Sequence, residues 1–285
     1  MSPRNSMRRF RKNEKAVSPA ISSVIMTCSV IILLLVTIIF ANNYLNARIA
    51  ENEFSSMKQF MQTLGLQIDD VSWTPGRTQT IRYANKYGTI NFQSVALNYT
   101  VYVDRGLGYV LLSKHVTGIL MFNMPITDYS LGNNYHEKIV PLTNRLFIQQ
   151  GTSAPVCHIF VTEKMPMNDG SYIRVVAAPS VRMLNSTLVT GGVVDNYIKF
   201  YLPTLNQGLS LHQSQSTTLF GNTVTTITES NVNKVKISIS APKASLGFDL
   251  NFFGFDTVNQ EIDVPNGSVI QFYIAEVTVS IGLFI

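Results

Sequence analysis

Residues 12–41, KNEKAVSPAISSVIMTCSVIILLLVTIIFA, constrain the fold more than any other stretch. A basic leader ends at Lys15, and no charged side chain occurs from Ala16 to Ala47. Residues 24–40 hold twelve Val, Ile, Leu or Phe side chains. At roughly −0.3 to −0.6 kcal/mol each, these favour transfer into a bilayer by about 4–7 kcal/mol. The expectation is a membrane-crossing helix that carries everything C-terminal to it.

Charge is placed to match. Six of the 22 basic residues (Arg4, Arg8, Arg9, Arg11, Lys12, Lys15) and one of the 17 acids (Glu14) precede Ala16, leaving 16 of each sign for the rest. The net charge of +5 is therefore a leader property. A basic cluster ahead of an apolar span stays cytoplasmic, which puts the remainder outside the membrane. It also removes the reason to expect nucleic-acid binding, which needs excess cations in the folded part. The two cysteines, Cys28 in the apolar run and Cys157 far downstream, offer neither a disulfide framework nor a zinc pattern.

A cleaved secretory signal has a short apolar region followed by a small-residue junction. Here the only such junction beside charge precedes the run, at Lys15-Ala16-Val17. Ser18 and Pro19 form a helix start, a capping hydroxyl followed by proline at the first helical position. That start leaves the Ala16–Val17 bond extended and within reach of a protease. Ser18, Ser22 and Ser29, with Ser23 and Thr27 beside them, make a small-residue face that lets helices approach closely in an apolar medium.

A basic leader, Lys-Ala, then Val-Ser-Pro-Ala-Ile and an unbroken apolar helix resembles the N-terminus of archaeal type IV pilin-like proteins. The resemblance is specific over Glu14 to Ile21. It implies a class III signal peptide over 1–16, cut by a prepilin peptidase on the cytoplasmic side. Lys15 and Ala16 would then precede the cut, and Val17 would become the new N-terminus. Bacterial type IV pilins carry Glu five residues into the mature chain; that position is Ile21 here, so a charge-paired docking account does not transfer.

Beyond the apolar run, Ala47, Ala50, Phe54, Met57, Met61, Leu64 and Ile68 recur at alternating steps of three and four, one face of a continuing helix. Asn52, Glu53, Ser56 and Gln59 lie off that face. The stripe fits a coiled coil or, more simply, packing on a sheet. Residues 19–68 as one helix would be about 75 Å long, over twice a bilayer core. Asp69-Asp70 and then Trp73-Thr74-Pro75-Gly76 end it. A shorter match to pilin-like ectodomains follows, over 68–83.

The rest reads as about a dozen short strands: 78–84, 89–92, 95–103, 108–112, 116–121, 145–149, 157–162, 172–177, 181–189, 196–202, 217–228, 234–240, 248–252 and 269–281. Turn signals separate them, including Gly132-Asn133-Asn134, Gly221-Asn222 and Pro265-Asn266-Gly267. Gly191-Gly192 is a candidate internal boundary. The fold class expected is α+β, one long N-terminal helix followed by a mainly antiparallel β-sandwich head. Its divisions are a leader over 1–16, a helix over 17–70 (membrane part 19–42, amphipathic part 43–68) and a β-rich extracellular domain over 71–285.

Chemistry-bearing patterns are sparse. His115, His136, His158 and His212 stand apart, without metal spacing. Cys157-His158 are neighbours, but on a strand they point to opposite faces. Asp256, Glu261 and Asp263 suit either a calcium site or, with more weight, a solvated strand edge. No nucleophile elbow or phosphate loop occurs, so no enzyme activity, cofactor or metal is expected. Three Asn-x-Ser/Thr sequons, at Asn98, Asn185 and Asn266, are candidate glycan sites, with Asn98 usable only if it faces outward. The resemblance implies a filament subunit: a major, minor or tip pilin, with an adhesive role among the options. Its partners would be a prepilin peptidase, other pilin subunits in a homo- or hetero-polymer, membrane lipid before assembly, and a surface or sugar ligand. The alternative is a permanently anchored single-pass protein with a ligand-binding or cell-envelope ectodomain.

Overall fold

The computed structural model describes residues 7–142, 146–190, 193–210 and 215–282. It divides into two compact units, Met1–Ile49 and Ala50–Ile285. One helix, α1 (Met7–Ser72), supplies backbone to both. The second unit takes in the amphipathic part of α1, which shares a core with the sheet.

In the first unit every side chain from Ile21 to Ile49 is exposed. By length and composition this helix can cross a membrane. The helix does not start at Ser18: the backbone is already helical from Met7, so Lys15, Ala16, Val17 and Pro19 lie inside it. The Arg- and Lys-rich leader is itself a good helix former, and Pro19 removes one hydrogen bond without supplying a stop.

The second unit is built on one sheet of eleven strands. These are β1 (Thr78–Arg82), β2 (Thr89–Asp104), β3 (Tyr109–Pro125), β4 (Tyr135–Val140), β5 (Ile148–Gln150) and β6 (Cys157–Glu163). They continue with β7 (Tyr172–Pro179), β8 (Val181–Thr190), β9 (Val193–Ser210), β10 (Ser216–Ser240) and β11 (Asn259–Ile281). The order is β4-β6-β7-β3-β2-β10-β11-β9-β8-β5, and β1 pairs with the start of β10. All neighbours are antiparallel except β9–β11 and β5–β8. Gly191 and Gly192 lie outside the described residues. The strands flanking them pair with each other, Thr190 opposite Val193, so the sheet runs across the expected boundary.

Both faces of the sheet carry a core. On one face Tyr99, Phe160, Val176, Phe200, Ile237 and Phe272 meet in a single cluster, so strands distant in sheet order share an interior. On the other face Leu120, Phe122, Ile159, Val175, Val277 and Val279 receive the helix. Strand β6 shows both at once: Cys157, Ile159 and Val161 join the helix-side core while Phe160 joins the first. The parallel β9–β11 register sets Phe200 against Phe272 inside, at 4.7 Å between centroids, and Tyr201 against Tyr273 outside, at 4.9 Å.

Residues 248–252 are not a strand. Leu250–Phe253 form a one-turn helix, α2, whose first N–H groups are capped by Asp249 Oδ1, which accepts from Phe252 N at 2.9 Å. Its Phe252 and Phe253 plug the first core. The apolar residues suggest a strand, but the Asp cap and the left-handed Gly254 (φ 65°) decide the local geometry.

Candidate functional site

Two surfaces carry the chemistry of this chain: the apolar helix of the first unit, and the seat of α1 on the sheet within the second. On the apolar helix, Thr27 Oγ1 donates to Ser23 O and Ser29 Oγ to Ile25 O, each at 2.8 Å. Thr37 Oγ1 donates to Leu33 O at 2.7 Å. These hydroxyls are satisfied within the helix, so the small residues add little polarity and permit close packing in an apolar medium. Ser22 and Ser29 are both exposed.

Phe54, Met57, Met61, Leu64 and Ile68 are all buried in the helix-side core of the sheet. At about 1.5–3 kcal/mol per buried side chain, these five favour seating the helix by roughly 7–15 kcal/mol, an upper bound. Phe54 packs on Phe122 and Tyr129, with centroids at 6.4 and 5.1 Å. Gly65 lets the helix come close to β6: a Cβ there would lie 3.1 Å from Ile159 Cδ1. At the helix end, a Cβ on Gly221 would meet Val71 O at 2.5 Å, so only glycine fits that approach.

Polar clamps fix the two ends of this seat. Glu53, read from the sequence as off the packed face, is in fact buried. Its carboxylate accepts from Lys86 N at 2.8 Å, Tyr87 N at 3.1 Å and Gly88 N at 2.9 Å, gathering the turn before β2 onto the helix. At the other end, Asp69 accepts from Trp73 Nε1 at 2.6 Å and from Arg182 NH1 at 2.9 Å. The Arg182 guanidinium lies 5.1 Å over the Tyr201 ring. Lys58 pairs with Glu137 of β4 at 3.0 Å between them. Sequence periodicity finds the stripe but not these clamps, whose partners, Trp73 apart, lie 33 to 113 residues away. The one local signal is that each acid adjoins a stripe residue, Glu53 before Phe54 and Asp69 after Ile68.

The other sequence candidates fall apart in space. Cys157 faces the helix-side core and burial pushes its thiol up, away from the reactive thiolate. His158, on the opposite face against Phe255, is pushed down to about 3 by burial and by Lys138, so it is neutral. His115 is likewise lowered by burial. His212 lies outside the described residues. Glu261 and Asp263 face Lys236 and Lys234 across the β10–β11 pair, at 3.8 and 3.0 Å. No group of three metal-ligating side chains occurs among the described residues. Asn185 and Asn266 are exposed. Asn98 is half-buried in β2, with its Oδ1 enclosed and without a hydrogen-bond partner.

No family model, curated protein or solved structure matches this chain.

Proposed function

We propose that this chain is a structural subunit of a type IV pilus-like surface filament, inserted through its apolar helix, freed by a prepilin peptidase and assembled with copies of itself or related subunits. The observation that carries this reading is the helix from Ile21 to Ala41, apolar on all sides and wholly exposed. Such a surface needs an apolar medium throughout its life, first lipid and then other helices of the same kind. The small-residue face at Ser18, Ser22 and Ser29 supports the second environment, and the Lys15-Ala16-Val17 junction supports release from the first.

Cutting between Ala16 and Val17 removes all of the asymmetric charge. Because both residues lie in helical backbone, the peptidase must unwind a turn there. Pro19 lowers that cost, since it has no N–H to give to Lys15 O. In the assembled state the head faces outward, the halves of its sheet packing as a sandwich around the aromatic core. Exposed Asn185 and Asn266 are the favoured glycan acceptors in this reading, and Asn98 the poorest. The head would meet neighbours, surfaces or sugars.

The unbroken helix through Lys15–Val17 favours a second reading, a single-pass protein that keeps its leader and stays in the membrane. Shearing intact cells separates the two. A filament subunit is released as polymer, visible by electron microscopy and identified by mass spectrometry. A permanent anchor stays entirely in the membrane fraction.

A further inference from the structure

The uncharged length of α1 is bounded by two cations, Lys15 and Arg48. Its apolar run ends at Ala41, and Asn42-Asn43-Tyr44 follow. Tyr44 and Arg48 are both exposed and stand four residues apart, on one face of the helix. They touch. Arg48 Nε donates to the Tyr44 hydroxyl at 3.2 Å, and the guanidinium carbon lies 5.3 Å from the centre of the Tyr44 ring. Side chains on a helix lean toward its N-terminus, so the Arg48 charge is carried back one turn, to the level of Tyr44. A cation over a tyrosine ring is worth most where water is scarce.

The spacing of these groups fits a bilayer. Residues 15–44 are unbroken helical backbone, which spans about 44 Å at 1.5 Å per residue. A bilayer with its headgroup layers is about 40–45 Å thick. Residues 21–41 span about 32 Å, close to the roughly 30 Å of the hydrocarbon core. Tyr44 then stands about 4.5 Å beyond the core, inside the headgroup layer. An amphipathic ring prefers that depth. A guanidinium at the same depth meets lipid phosphate, and its planar fork of N–H donors suits paired phosphate oxygens.

We propose that Tyr44 and Arg48 form a clamp for lipid phosphate in the outer headgroup layer, opposite an inner clamp at Lys15 on the cytoplasmic side. The clamp rests on the insertion step of the filament reading, a step that the permanent-anchor reading shares. With both clamps in place the helix cannot slide along its axis without dragging a cation into hydrocarbon. Cutting between Ala16 and Val17 removes the inner clamp and keeps the outer one. The helix is then held at its outer end alone, and the direction left open to it is outward.

The test uses the full, uncut chain in detergent, titrated with phosphatidylglycerol or, in a second arm, with digalactosyl diacylglycerol, which has no phosphate. Native mass spectrometry counts the lipids retained. The native chain should hold phosphatidylglycerol in preference to the galactolipid. Arg48→Gln should lose one phosphatidylglycerol, and Tyr44→Leu should weaken retention of the same one. Lys15→Gln should lose another, independently of Arg48→Gln. Arg105→Gln, at an exposed cation of the head, should change nothing. A count unaltered by Arg48→Gln, or equal retention of the galactolipid, overturns the proposal. Displacement of the lipid by inorganic phosphate also overturns it, since that marks a site for the free anion. An unchanged thermal midpoint of the head certifies that each variant is folded. None of these readouts needs leader removal or polymer, so failure here and failure of the filament reading are separately visible.

Discussion

The two lengths of α1 use the same kinds of side chain and end in opposite surroundings. From Ile21 to Ala41 apolar residues point in every direction and all are exposed. From Ala50 to Ser72 they are confined to one stripe, and that stripe is buried under a sheet. The difference lies in periodicity rather than in hydrophobicity. A stripe is satisfied by one partner face, which the same chain supplies. A helix apolar all round needs a medium, and the head has no second face to give. One continuous helix thus joins a part completed by folding to a part whose apolar side chains stay exposed.

The sharpest way to break that contrast is to truncate one leucine in each part. Leu64→Ala should lower the stability of the head by about 2–5 kcal/mol, read as a fall in its thermal midpoint. Leu33→Ala should leave that midpoint unchanged, since Leu33 is exposed in the folded chain. An equal loss from both would show that the apolar part also packs on the head. Next in size is the clamp. Glu53→Gln keeps the shape but forfeits charge-assisted bonds to the 86–88 amides, at a cost of about 1–3 kcal/mol by denaturant titration. A neutral outcome would make Glu53 incidental to the seat.

The buried His158 gives a graded, pH-dependent effect confined to the head. Burial holds its folded pKa at about 3, below the ordinary imidazole value of 6.5, so between these values the unfolded chain binds the extra proton. Its contribution is therefore full above about pH 6.5 and lost as pH falls toward 3, at roughly 1.4 kcal/mol per pH unit. His158→Gln should flatten the acid limb of a stability-against-pH curve, and an unchanged slope would contradict the burial. The smallest effect on stability belongs to the apolar part. Ser22→Leu with Ser29→Leu should leave the head's melting unaltered and yet reduce filament yield, because the change thickens a packing face without touching the folded core. Normal filaments from that variant would remove the small-residue face from the account.

What was readable in the sequence follows the range of the interactions. The apolar run and the Phe54–Ile68 stripe are local periodicities, and the structure presents them as one helix. The partition of the head into strands was readable only coarsely. Gly221-Asn222 and Pro265-Asn266-Gly267 have the composition of turns, but they sit at register shifts within the long strands β10 and β11. A bulge and a reversal use the same residues, and only the partner strand distinguishes them. The union of all strands into one sheet, with β10 reaching back to β2 across some 130 residues, leaves no local mark. The contacts of Glu53 with the 86–88 amides and of Asp69 with Arg182 leave no local mark for the same reason, and the aromatic residues of α2 mask its Asp249 cap.

The central claim is that the apolar helix begins its life behind a leader and ends it without one. Mass spectrometry of the amino terminus of the surface-exposed protein tests this directly. The account predicts a chain beginning at Val17, with Met1 to Ala16 absent. Mature protein that still carries Met1 to Lys15 would contradict it and return the helix to the role of a permanent anchor.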